Sequence, residues 1–354
     1  MEPFNTEQLA RQLRELYRRC GYTQYKMSKF EPYDLYVRNK SFLVSGDILT
    51  FTDADGRLMA LKPDVTLSIV KNAREGAGLQ KVYYSENVYR TSPMSQGFRE
   101  IMQTGLECVG DLDLVAMGEV LLLATRSLEL ISRDYLLDVS HLGFVSGLLD
   151  SAGVPREHQV PLLERMGEKN VPALRALCRD LGADGETADA LCRLATLYGP
   201  PDELLPPLRE MIRGARMSAA LEELEHVCAL APSNRLRLDF SIVNNMDYYN
   251  GLIFRGYLPG LPSGVLSGGR YDNLLHQMGR EDGAIGFAVY LNLLERLETA
   301  QPEFDADLLL LYDDQTPAPA VLREAERCRL AGQTVRVERR APEGLTFRTV
   351  RKVG

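Results

Sequence analysis

The segment from Lys81 to Val109 restricts the fold more than any other part of this chain. It reads as one strand over Lys81 to Arg90, a polar loop over Thr91 to Gly97, and a second strand over Phe98 to Val109. Both arms alternate, and successive side chains of a strand point to opposite faces. Gln103, Gly105 and Glu107 therefore share one polar face, while Met102, Thr104, Leu106 and Cys108 make an apolar one. On the first arm Glu86, Val88 and Arg90 point the same way by the same period.

Around this hairpin the pattern alternates between helix and strand. Leu9, Leu13 and Tyr17 recur at helical spacing from Thr6 to Cys20, and Gly21 closes the run. Short strands are expected at Ser41 to Val44, Ile48 to Thr52 and Arg57 to Lys62, the last two joined through an Asp-Gly turn at Asp55-Gly56. Thr66 to Asn72 and Val115 to Arg133 read as helices, and Tyr135 to Val139 as a strand. Helical periods dominate Pro155 to Pro232, a helical insert placed at about 152–232. Strand character returns at Leu236 to Val243, with a second hairpin expected at Asn250-Gly251 and its other arm at Ile253 to Tyr257. An apolar helix is expected to run through Leu297. A strand at Leu308 to Tyr312, a helix at Ala318 to Leu330 and a strand at Val335 to Val337 form a small βαβ unit. The expected organisation is an α+β domain over 1–300, with an antiparallel sheet flanked by helices, and a second unit over 303–354.

Composition removes several function classes. A net charge of -8 gives no overall field for nucleic acid, and none is expected as a partner. The six cysteines are scattered without a C-x-x-C pair and read as reduced core residues. The four histidines are equally dispersed, so no metal site is expected from local spacing. The polar helical pattern from Glu7 to Arg19 is unlike a leader, and no run reaches the roughly 18 apolar residues of a membrane span. A cytoplasmic location is expected.

Polar residues concentrate in three places. Gly105, set between Gln103 and Glu107, leaves room for a ligand or marks a bulge. Arg90 carries a planar fork suited to a carboxylate or phosphate, or it pairs with Glu107 or Glu86. Asp64 and Thr66 stand at a strand-to-helix junction, where Asp64 serves equally as a helix cap. Asn244 to Gly251 packs amides, Asp247, Tyr248 and Tyr249 against a turn, and hydroxyl-tipped rings both wall a pocket and bond its occupant.

These segments follow one another as in the catalytic domain of class II histidyl-tRNA synthetases, over nearly all of residues 5–300. Lys62-Pro63-Asp64-Val65-Thr66 resembles that family's R-P-E-x-T element, and Tyr89-Arg90 through Gln103 and Glu107 its motif 2 hairpin. Val243 to Asn250 is similar to L-V-R-G-L-D-Y-Y-N, Gly268 to Asp272 matches G-G-R-Y-D, and Ala284 to Ala288 resembles the start of motif 3. The resemblance implies a class II synthetase-like fold and a site for free L-histidine at Asp64, Thr66, Arg90, Gln103, Glu107, Tyr248 and Tyr249. In such a site Asp64 or Glu107, helped by Thr66 and Gln103, meets the α-ammonium, Arg90 the α-carboxylate and tyrosine hydroxyls the imidazole.

The departures from that pattern remove cations. The Thr91 to Gly97 loop lacks the E-R-P-Q-x-G-R chemistry, Asn244 and Leu293 stand where arginines are found, and Ser28 replaces the motif 1 proline. Adenylate formation needs charge neutralised at phosphorus, and each lost arginine costs about 10³–10⁵ in rate. The C-terminal unit is similar to a truncated anticodon-binding domain. A retained pocket without ligation resembles the regulatory subunits of ATP phosphoribosyltransferase. That resemblance implies no catalytic residues and no cofactor, a short-form catalytic subunit as partner, self-association as a dimer, and feedback control by histidine. A divergent class II-like ligase and a tRNA-binding paralogue are the alternatives.

Overall fold

The computed structural model describes residues 5–39, 48–76, 78–91, 97–242, 248–294, 297 and 304–353. The described residues from 6 to 294 form one compact unit, and those from 304 to 353 a second. In the first unit the chain order is α1 (Thr6–Arg19), β1 (Thr23–Gln24), β2 (Phe30–Pro32), α2 (Tyr33–Arg38), β3 (Thr50–Thr52), β4 (Leu58–Leu61), α3 (Thr66–Asn72), β5 (Gln80–Thr91) and β6 (Phe98–Gly110). Then come α4 (Leu114–Ile131), β7 (Leu136–His141), α5 (Leu142–Ser151), the helices α6 (Arg156–Gly167), α7 (Val171–Asp180) and α8 (Gly185–Thr196), β8 (Tyr198–Gly199), α9 (Pro201–Arg209) and α10 (Ala215–Leu230). The unit ends with β9 (Leu236–Asp239), β10 (Leu252–Tyr257), β11 (Leu266–Arg270), α11 (Asp272–Gln277), β12 (Gly283–Tyr290) and α12 (Leu291–Leu294).

Nine strands make one sheet in the order β1-β5-β6-β12-β11-β10-β7-β9-β8, so the fold is α+β. Neighbours run antiparallel except β1 beside β5 and β7 beside β9. A separate three-stranded sheet, β2-β4-β3, sits before α3. The hairpin that dominates the sequence is present as β5 and β6, paired from Gln80↔Val109 to Thr91↔Phe98. Its tip at 92–96 and the strand expected at Ser41 to Val44 lie outside the described residues.

One face of the large sheet is closed by α1 and α4. Tyr17 of α1 is fully buried, donates or accepts a 2.9 Å hydrogen bond with Ser127 of α4, and packs edge-on against Phe287 at 5.9 Å. Tyr83 and Phe287 project to this face. Their sequence neighbours Tyr84, Gly286 and Ala288 project to the other, where the site lies.

The turn expected at Asn250-Gly251 is a correction. The strands on its two sides are not partners: β9 and β10 lie on opposite flanks of β7, β9 parallel to it and β10 antiparallel. A strand from earlier in the chain separates them, and local turn chemistry carries no information about such an insertion. The apolar helix expected through Leu297 is described only as the single turn of α12. The second unit has β13 (Ala306–Leu311), α13 (Ala318–Leu330), β14 (Val335–Glu338) and β15 (Phe347–Lys352) in a parallel sheet of order β14-β13-β15. Leu308, Leu310, Val321, Ala325 and Cys328 form its core.

Candidate ligand pocket

The pocket floor is set by strand register. Glu107 of β6, Gly286 of β12 and Gly269 of β11 are consecutive cross-strand partners. Two residues along, Gly105, Ala288, Ser267 and Arg255 of β10 make a second row, and Gln103 with Tyr290 begins a third. Directly opposed residues face the same way, so three rows of side chains rise from one surface. Glycine keeps that floor low. A Cβ on Gly105 would lie 2.7 Å from the Tyr84 hydroxyl, and one on Gly286 would coincide with the Glu107 carboxylate. Gly286→Ala should cost about 1–3 kcal/mol through overpacking. A denaturant midpoint unchanged in that variant would contradict this crowding.

The resulting cavity, about 440 Å³, is lined by all seven residues named from the sequence. This volume lies in the usual range for small-molecule sites. Asp64, Thr66 and Arg90 come from the entry to α3 and from β5, Gln103 and Glu107 from β6, and Tyr248 and Tyr249 from the segment before β10. The tyrosine rings pack as a cluster, Tyr248 edge-on to Tyr249 at 4.6 Å and tilted against Tyr271 at 5.5 Å.

Glu107 is the centre of the polar chemistry. It is 2% exposed; Thr66 Oγ1 donates to Oε1 at 2.7 Å and the Tyr271 hydroxyl donates to Oε2 at 2.6 Å. Burial pushes its carboxyl up to about 8, although both hydroxyls favour the ionised form; the neighbouring charge of Asp64 adds to the rise. Burial also raises Asp64, against the pull of the Arg90 guanidinium. The hydroxyls of Tyr84, Tyr248 and Tyr271 are held well above the ordinary tyrosine range by burial first, then by these carboxylates.

Alternatives left open by the sequence are decided here. Asp64 does two things: Oδ1 accepts from Leu67 N at 2.9 Å, capping α3, and Oδ2 faces Arg90 at 3.5 Å. Arg90 pairs with neither Glu107 nor Glu86. Its Nε donates to Pro63 O at 2.7 Å, and Glu86 instead holds the buried Lys62 at 2.5 Å. Gln103 is 2% exposed, and its Nε2 has no hydrogen-bond partner among the described residues. An amide buried at a cavity wall without a partner is a place for a ligand's polar atom.

Sequence reasoning missed Tyr84, Arg255, Ser263, Ser267, Tyr271 and Tyr290 of the lining. Tyr84 shares a face with Glu86 and Arg90, so strand period alone marks it. Tyr271 lies inside the Gly268 to Asp272 motif without having been assigned a role. Arg255 and Tyr290 become neighbours of the site only through β10 and β12. Asn244 lies outside the described residues, while Leu293 is in α12 and is not a lining residue. No group of three or more metal-binding side chains occurs among the described residues, and no described helix is long and apolar enough to cross a membrane.

Against known proteins, a family model described as histidyl-tRNA synthetase matches residues 2–294. An ATP phosphoribosyltransferase regulatory subunit of Clostridium kluyveri is 30% identical over 86% of this chain and 81% of its own. A Bacillus halodurans structure described as an ATP phosphoribosyltransferase regulatory subunit/histidyl-tRNA synthetase superposes with a TM-score of 0.80 at 24% identity, covering 98% of this chain and 93% of that one. The Thermotoga maritima ATP phosphoribosyltransferase complex contains a chain with a TM-score of 0.63 at 19% identity, covering 81% of this chain and 98% of that one. At these identities the two structures speak for the fold.

Proposed function

We infer function from one premise: this chain belongs to the histidyl-tRNA synthetase family and, within it, to the regulatory subunits of ATP phosphoribosyltransferase. It serves as the regulatory subunit of an ATP phosphoribosyltransferase, required by a short catalytic subunit that joins ATP to phosphoribosyl pyrophosphate at the first step of histidine biosynthesis. The finer reading is that its pocket holds free L-histidine, that it performs no aminoacylation, and that it self-associates as a dimer.

The observation carrying the ligand assignment is Glu107, buried with both carboxylate oxygens bonded by hydroxyls, beside Asp64 and the unpartnered amide of Gln103. A small zwitterion completes that set: its cationic group donates to the carboxylates, and an acceptor on the same molecule takes the Gln103 N–H. An ammonium meets Glu107 and Asp64, and an imidazole meets the hydroxyls of Tyr248, Tyr249 and Tyr271. To control a distant partner, histidine must bind the active and inhibited assemblies with different affinity, typically by 1–3 kcal/mol.

The test is reconstitution. Purified chain added to a short catalytic subunit should raise phosphoribosyltransferase activity and make it sensitive to histidine. Failure with several such catalytic subunits would remove the assignment. ATP–pyrophosphate exchange stimulated by an amino acid would favour a divergent ligase instead, and salt-sensitive tRNA retention would favour an RNA-binding role.

A further inference from the structure

We propose that Arg255 is the residue that receives the ligand's α-carboxylate, and that Arg90, named for that task from the sequence, is instead a positioning residue for the Asp64 turn. This rests on the reading of the cavity as an amino-acid pocket and adds the group that recognises the acid end.

Arg90 is already engaged by the protein itself. Its Nε donates to the Pro63 carbonyl and its second nitrogen faces Asp64 Oδ2, so the side chain locks the strand-to-helix junction onto β5. Arg255 differs in each respect. It lines the same cavity, is partly exposed within it, and its side chain has no hydrogen-bond or ion-pair partner among the described residues. Its register neighbour Asp138 accepts instead from the Tyr198 hydroxyl at 3.2 Å. The arginine stem lies across Gly264, where a Cβ would come within 2.6 Å of its Cγ. Glycine at that position therefore makes room for the side chain, and Ser263 and Ser267 supply hydroxyls around it.

The charge layout fits a zwitterion. Both carboxylates belong to the β5–β6 side, while Arg255 stands on β10, three strand spacings from β6 in the order β6-β12-β11-β10. Three spacings place the two backbones about 14 Å apart. Long side chains reaching inward from both ends narrow that to the length of a small amino acid. Arg255 is also close enough to Tyr249 for its charge to act on that hydroxyl, so the guanidinium borders the space between the tyrosines and β10. A guanidinium facing a cavity with no carboxylate partner among the described residues supplies the bidentate donor that an acid group needs.

The experiment is a thermodynamic cycle between side chain and ligand. L-Histidine and L-histidinol, which carries an alcohol in place of the carboxylate, are titrated calorimetrically into the full chain and into Arg255→Gln. In the wild-type chain histidine should bind at least about thirtyfold more tightly than histidinol, the size of a buried charge pair. In Arg255→Gln that preference should vanish while histidinol affinity stays unchanged, which also shows that the pocket is intact. Arg90→Gln should weaken both ligands by a similar factor. If Arg255→Gln keeps the preference, the carboxylate is bound elsewhere and the proposal fails. Should that variant bind neither ligand, Arg255→Lys decides: a restored preference for histidine supports the proposal, and its absence overturns it. A wild-type chain that binds no histidine would instead remove the pocket assignment itself, and this proposal with it.

Discussion

Glu107→Gln is expected to bind histidine about a hundredfold more weakly at pH 8 while still activating the catalytic partner. The substitution keeps the shape and one carbonyl acceptor for Thr66 or Tyr271 but cannot ionise. It therefore removes charge from the pocket without opening a void. Activation through the partner surface needs no charge at Glu107, so feedback inhibition and activation should separate. Loss of activation together with inhibition would show that Glu107 holds the fold rather than the ligand.

The same residue predicts a pH dependence with a definite sign. Burial pushes the Glu107 carboxyl up to about 8, against an ordinary value of 4.5. A cationic ligand favours the ionised form, so binding at pH 7 should release a proton. Affinity should rise by up to about tenfold per pH unit below 8 and level off above it. For stability without ligand, the folded state holds the proton more tightly than the unfolded one. Its contribution is complete below 4.5 and is lost as pH rises from there through about 8. Glu107→Gln should flatten both profiles. Calorimetry in buffers of different ionisation enthalpy reads the proton directly, and zero release at pH 7 would contradict the raised carboxyl.

How far the sequence carries depends on whether a feature is local. The helix bounds Thr66–Asn72 and Ala318–Leu330 are written in nearby residues: a capping aspartate before the first, and a proline before and a glycine after the second. The alternation of Gln103, Gly105 and Glu107 assigns a shared face before any partner strand is known. What the sequence leaves open is which charges meet. Arg90 has three carboxylates within plausible reach, and only the path of the Lys62-Pro63-Asp64 turn over β5 selects Asp64. Arg255 enters the site through two intervening strands, which no periodicity reveals. The edge strand β15 was missed because Phe347–Lys352 is mostly exposed and charged, leaving no apolar pattern to read. Likewise β7 slips between β9 and β10 because of a long-range pairing, and a good local turn sequence at Asn250-Gly251 cannot report it.

The largest stability loss is expected from Glu86→Ala. Lys62 is 1% exposed and its ammonium has Glu86, 19% exposed, as its ion-pair partner. Removing the acid leaves a charge buried without compensation, which costs about 3–5 kcal/mol, with the lower end favoured by the partial exposure of Glu86. Lys62→Met removes the charge along with its need for a partner and should cost much less. The double variant Lys62→Met/Glu86→Leu should recover most of what Glu86→Ala loses. The pair matters to the site because of what surrounds it. Tyr89 N donates to Lys62 O at 2.9 Å and Arg90 Nε to Pro63 O at 2.7 Å, so three bonds fasten residues 62–63 to β5 and hold Asp64 and Thr66 over the cavity. Glu86→Ala should therefore weaken histidine binding as well as stability, although it does not line the pocket. Denaturant unfolding followed by tyrosine fluorescence suits a chain with 16 tyrosines and no tryptophan. A Glu86→Ala midpoint no lower than that of Lys62→Met would mean that the ammonium finds another partner, and the ion pair would lose its place as the fastening of the pocket wall.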